Sequence, residues 1–275
     1  MPETVGALVT LALAFAYASG VQRLWSAAGA GRIVKPVQVA AFAGGVLVVL
    51  VAVLSPVDQQ ATTSLPLHMV QHVLLLSVAA PLLAAGAPIT AMVWALPPAP
   101  RRRTLRTWRR VARSQTQRGW TLWVAATLVL ATVTLGLWHV PAFYDAAVRH
   151  PWLHALEHAT FLGTATLFWW TVFGAGRRSR QGAGVVGVFL ATLPATALGV
   201  LMTLSRTPWY PAYVTGSRHA AIGEQQIAGA LMWGFGGLAA VVAATVLFAT
   251  WLVGMDRADA RAEARDLAGS LGGSR

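Results

Sequence analysis

Seven apolar stretches separated by short polar connections divide the chain, at roughly residues 5–22, 37–54, 69–95, 120–138, 152–173, 183–204 and 226–253. A helix needs about 20 apolar residues to cross a hydrocarbon core. The pattern therefore predicts an all-α fold, a polytopic membrane bundle of seven transmembrane helices. It occupies residues 1–255 and is followed by a charged tail over 256–275 that reads as a solvated helix fraying at its Gly-Ser end. The connections leave no room for a soluble domain. The first stretch begins close to Met1, without a basic leader or a convincing cleavage site, and is expected to remain as a helix.

Composition agrees: of 275 residues, 56% are hydrophobic and only 11% charged. The basic residues then set an orientation. Arg23, Arg32 and Lys35 follow the first stretch, and Arg101, Arg102, Arg103, Arg106, Arg109, Arg110, Arg113 and Arg118 follow the third. Arg177, Arg178 and Arg180 follow the fifth, and Arg257, Arg261, Arg265 and Arg275 lie in the tail. On the seven-helix topology, 18 of the 21 basic residues fall on one side, with only Arg149, Arg206 and Arg218 opposite. Cytoplasmic loops carry the basic excess, so the N-terminus is expected outside and the C-terminus in the cytoplasm. The net charge of +12 thus follows loop parity and calls for no nucleic acid. The arginine run 101–118 is expected to act as a topology signal and to contact lipid headgroups.

The same topology places all seven histidines on the extracytoplasmic side. His68/His72 and His154/His158 are spaced four apart, which puts both rings of a pair on one helix face. With a rise of about 1.5 Å per residue, the second ring of each pair sits about 6 Å deeper than the first. His139, in Trp138-His139-Val140-Pro141, arrives at the same level from the fourth helix, so five imidazoles can converge. Ionisable groups within a membrane are costly and tend to mark function. His150 and His219, in short connections, are expected to contact headgroups.

The chain has no cysteine, which removes thiolate zinc sites, iron–sulfur clusters and cysteine nucleophiles. Met69, Met202 and Met232 lie near the histidine level, and a thioether–imidazole set without thiolate suits Cu(I) better than zinc or magnesium. The expected metal ligands are His68, His72, His139, His154 and His158, with His72 and His158 as the core pair and Met69 and Met232 in support. Both histidine pairs lie at helix N-termini, whose dipoles disfavour cations but keep imidazoles neutral and ligating. Glu157, Glu224 and Asp145 are candidates to offset the ion's charge, and Glu224 and Gln225 equally to cap the last helix. Pro81, followed by Gly86 and Pro88, predicts a kink in the third helix.

Several ordered motifs resemble one family. They are His68-Met-Val-Gln-His72 with Ala80-Pro81-Leu-Leu and Gly86-Ala-Pro88; Trp138-His-Val-Pro141 with Phe143-Tyr-Asp145; Leu153-His-x-x-Glu-His158; Tyr210-Pro-Ala-Tyr213; and Glu224-Gln-Gln-Ile-Ala-Gly-x-x-Met232-Trp233. Together they are similar to the CtaG-type bacterial cytochrome c oxidase assembly proteins of the polytopic kind, over about residues 50–250. The resemblance implies a non-enzymatic helper in the bacterial cytoplasmic membrane that matures haem–copper oxidase through its copper centres. Its expected partners are oxidase subunits, other copper chaperones and the lipid bilayer. The Ala/Val/Gly/Arg-rich composition fits a bacterium with GC-rich coding. Three alternatives remain open: a b-type haem protein with His72 and His158 as axial ligands, a metal-free assembly scaffold, and a zinc protease built on His154-x-x-Glu157-His158.

Overall fold

The computed structural model describes residues 2–114, 117–173 and 178–272. Arg177 of the fifth connection and Arg275 of the tail lie outside the described residues. Every regular element among the described residues is helical: α1 (Pro2–Ala28), α2 (Pro36–Leu54), α3 (Pro56–Ala61), α4 (Leu65–Val73), a π-helical turn (Leu74–Ala79), α5 (Ala80–Ala85), α6 (Pro88–Ala95) and α7 (Pro98–Ser114) come first. They are followed by α8 (Gln117–Trp138), α9 (Pro141–Arg149), α10 (Pro151–Phe173), α11 (Arg178–Leu204), a 3-10 turn (Pro211–Tyr213) and α12 (Arg218–Gly272). Among the described residues, six spans are long and apolar enough to cross a membrane: α1, α2, the continuous segment Leu65–Ala85, Arg118–Trp138, Gly184–Leu204 and Arg218–Ala249.

The remaining expected span, 152–173, is the 23-residue α10. At about 1.5 Å per residue it is long enough to cross, but its polar side chains lower its apolar content below that of the other six. Those polar groups point inward. His154, His158, Phe161, Ala165, Phe168 and Val172 repeat at intervals of three and four and are all buried, as are Glu157 and Thr171. α10 packs against α8, α5, α9 and α11 and forms the wall on which the centre is built. Elsewhere large apolar side chains face outward in number, Phe15, Val37, Phe189, Phe235 and Val242 among them, as a lipid solvent permits.

The expected single helix over 69–95 is not continuous. Pro81 cannot donate an amide hydrogen and its ring crowds the preceding turn. The chain accommodates it by widening one turn upstream, where Ala80 N bonds Leu75 O across five residues. Pro88 then disfavours helical backbone at the residue before it. Ala87 takes the left-handed conformation (φ 52°, ψ 48°), ending the helix after Gly86, and α6 sets off separately. α6 packs against α1, where the α-carbon of Gly20 lies so close to the Ala91 carbonyl that a side chain would collide with it. Tyr17 stacks on Phe42 at 3.7 Å and donates to the Gly86 carbonyl at 2.8 Å, fixing the break. The arginine run expected in a loop is instead largely helical, as α7, and Arg101 stacks over Trp94 at 4.4 Å.

α12 begins eight residues earlier than expected. Ser217 accepts from Ala220 N and starts the helix, so neither Glu224 nor Gln225 caps it. α11 and α12 meet at two glycines, where a side chain on Gly229 would come within 2.5 Å of the Gly199 carbonyl. This is the close backbone approach by which membrane helices associate.

Candidate metal centre

The centre forms where α8 ends and where α4, α10 and α12 begin. Pro66 in the first turn of α4 and Pro151 at the start of α10 occupy positions where their missing amide hydrogens cost little. Each is followed within a turn by the first histidine of its pair. Val140, pushed into extended backbone by Pro141, ends α8 and turns His139 back onto its own helix. The two pairs meet face to face. Ring centroids are 4.4 Å apart for His68 and His72, 4.1 Å for His154 and His158, 4.9 Å for His68 and His154, and 5.6 Å for His72 and His158. His139 joins at 5.8 Å from His72.

Glu157 lies at the middle of this group and is completely buried. Its Oε2 is 3.5 Å from His68 Nε2 and its Oε1 is 3.4 Å from His72 Nε2, both too long for well-formed hydrogen bonds. The ligating atoms of His68, His154, Glu157 and His158 all fall within 4.8 Å of one another. Nε2 of all five histidines, Nδ1 of His72 and both carboxylate oxygens of Glu157 are buried without a hydrogen-bond partner. Leaving one such group unpaired costs about 1–3 kcal/mol, so a convergent set of them fits a bound cation.

Surrounding groups decide which nitrogen His68 and His139 present. Tyr213 donates its hydroxyl hydrogen to the Ala61 carbonyl at 2.6 Å and stands 2.7 Å from His68 Nδ1. With its own hydrogen committed, the phenol accepts, so His68 carries hydrogen on Nδ1 and offers a bare lone pair at Nε2. His139 Nδ1 is 2.8 Å from the Leu135 carbonyl, which can only accept, so His139 also offers Nε2. Such partners orient ligating imidazoles and raise their basicity. Burial, with the Glu157 carboxylate among the nearby charges, pushes the Tyr213 and Tyr144 phenols well above their ordinary range and keeps both as hydrogen donors.

A further ring of contacts holds the loops in place. Gln71 donates to the Ala52 carbonyl at 2.7 Å and to Asp58 at 2.8 Å, tying α4 to α2 and α3. Asp145 does not face the histidines. It accepts from Ala212 N at 3.1 Å and from Arg149 at 3.4 Å, anchoring the 3-10 turn that carries Tyr213. Gln225 accepts from Trp209 N at 2.6 Å and donates to the Met202 and Thr207 carbonyls, closing the connection before that turn. Glu224 is half-buried on α12 and His150 and His219 are exposed, all three outside the group of close ligating atoms. Met69, Met202 and Met232 pack with Leu135, Trp138 and Tyr144 in the apolar cluster beside the centre. A cavity of about 130 Å³, bordered by His72, Ser77, Leu135, Phe168, Trp169 and Met232, leads from His72 into the bundle.

Two participants were not legible as members of the centre. Glu157 was visible only as a possible counter-charge or general base, although its place three residues after His154 puts it beside that residue on one helix face. Tyr213 was visible only within the Tyr210-Pro-Ala-Tyr213 motif. Its partner His68 is 145 residues away, beyond any local pattern.

Fold and site together define an all-helical protein with six apolar spans and a buried centre of five histidines and one carboxylate. The chain belongs to the cytochrome c oxidase caa3 assembly factor family (Caa3_CtaG), whose model matches residues 15–253. No curated protein and no solved structure matches it.

Proposed function

We propose that this protein is a multi-pass assembly factor for haem–copper cytochrome c oxidase that binds copper at the histidine–glutamate centre and assists maturation of the oxidase's copper sites. Membership in the assembly-factor family supplies the process, and the convergence of orphaned imidazole nitrogens on Glu157 carries the metal reading. Imidazole accepts both copper states, Glu157 adds a hard ligand suited to Cu(II), and Met69 and Met232 are soft donors suited to Cu(I). α10 serves as the seventh span, giving an outside N-terminus, a cytoplasmic C-terminus and a centre near the extracytoplasmic face of a bacterial cytoplasmic membrane. The partners are oxidase subunits and other copper chaperones.

The packing favours a bare ion over a haem. His72 and His158 stand at 87° with ring centroids 5.6 Å apart, Phe161 presses on His72 at 4.8 Å, and the adjoining cavity is far smaller than a porphyrin. A general base in a zinc protease needs a carboxylate aimed at water, whereas both Glu157 oxygens are buried among imidazoles. The role is that of a helper rather than an enzyme.

The test is copper per protein after Cu(I) loading under reducing conditions in mild detergent, comparing wild type with a His72→Ala/His158→Ala double variant. Copper retained by wild type and lost in the variant supports the reading. Equal, near-zero copper in both overturns it.

A further inference from the structure

We infer that the centre holds two metal ions, with Glu157 bridging them; the inference rests on the metal-binding reading above and extends it. A single ion bound by His68, His154, Glu157 and His158 already takes four ligating atoms, a complete tetrahedral set. It leaves His72 with neither ring nitrogen paired, His139 with Nε2 unpaired, and one Glu157 oxygen unpaired, all of them buried.

These leftovers cannot satisfy one another. His139 donates from Nδ1 to the Leu135 carbonyl, so its Nε2 is a bare lone pair, and two lone pairs, on His139 and on Glu157, repel. A hydrogen bond from His72 Nε2 to Glu157 would span 3.4 Å, too long to be a good one, and would still leave His139 unpaired. A cation among the three pairs one His72 nitrogen, His139 Nε2 and the remaining Glu157 oxygen at once.

The carboxylate is divided to match. Oε2 lies nearest His68 on one side and Oε1 nearest His72 on the other, at 3.5 and 3.4 Å. The His72 and His139 rings are 5.8 Å apart and inclined at 68°, so they meet edge to face rather than stacked. The first ion sits on His68, His154, His158 and Oε2; the second sits on His72, His139 and Oε1. Met232 borders the same cavity as His72 and gives the second position a soft donor nearby. Two ions bridged in this way are about 3.5–4 Å apart in other two-metal sites.

The experiment is to load the full-length protein in mild detergent with Cu(II), count copper by elemental analysis and integrate the electron paramagnetic resonance signal. Two coppers per protein with an integrated spin well below two are expected, because a bridging carboxylate couples the unpaired electrons. A His72→Gln/His139→Gln variant should hold one copper and show its full spin. One copper in wild type with full spin overturns the two-metal centre and leaves a single copper site standing, and two coppers with two uncoupled spins overturn the bridge. No copper under either Cu(I) or Cu(II) loading overturns both this inference and the copper-binding function. The wild-type counts do not depend on whether any variant folds.

Discussion

Tyr213 and His68, 145 residues apart in the chain, are joined by a 2.7 Å contact in which the phenol receives the imidazole hydrogen while giving its own to Ala61. This one contact fixes the His68 tautomer, aims Nε2 at Glu157 and ties the 3-10 turn to the start of α4.

Tyr213→Phe should therefore weaken metal binding by about 10–100-fold, the usual effect of removing a partner that orients a ligand. Stability should fall by about 1–3 kcal/mol through the unpaired Nδ1. Chelator competition reads the first and thermal denaturation in detergent the second. Unchanged affinity would show that His68 is oriented by packing alone.

At the α11–α12 crossing, a side chain on Gly229 meets the Gly199 carbonyl at 2.5 Å and Thr203 Oγ1 at 2.6 Å. Gly229→Val should cost at least about 1–3 kcal/mol by overpacking. Gly163 on α10 has nothing within 4 Å of an added carbon, so Gly163→Ala should be neutral or stabilise by about 0.5–1 kcal/mol through backbone entropy. Melting temperatures of the two variants in one detergent separate crowding at the crossing from a general intolerance of glycine replacement.

Asp58 is half-buried, and burial raises its carboxyl above the ordinary range while the Gln71 hydrogen bond opposes the rise. A raised native value means that the folded state keeps the proton to higher pH. The stabilising contribution of this group is full in acid and is lost as pH climbs through the native value. Asp58→Asn keeps an acceptor for Gln71 but no longer titrates. The variant should match wild type in acid and gain on it as pH rises to neutrality, measured as the difference in melting temperature across that range. A difference of the opposite sign would mean that the carboxylate is favoured as an anion.

Much of this protein is local, and the sequence states it directly. Runs of about 20 apolar residues mark the helices because a hydrocarbon core leaves the backbone no other partner. A spacing of four puts each histidine pair on one face wherever the helix lies, and the ordered motifs carry the resemblance to the family whose model matches residues 15–253. Pro81 and Pro88 announced a disturbance in the third stretch, yet its form, a π turn and then a break at Ala87, depended on Tyr17 and Gly20 of α1 closing over the gap.

What only the tertiary structure decided is how each helix is rotated about its axis and at what height it meets its neighbours. Periodicity is blind to both, because the same helical face can be turned toward any of several partners. Packing such as the Gly199–Gly229 contact and the apolar stripe of α10 from Phe161 to Val172 sets them. That packing brings Glu157 between two histidine pairs from different helices, sets Tyr213 against His68 and commits Asp145 to the loop instead of the centre. The histidines were written in the sequence; the carboxylate that stands among them, and the nitrogen that His68 presents, come from contacts between residues too far apart in the chain for any local pattern to relate.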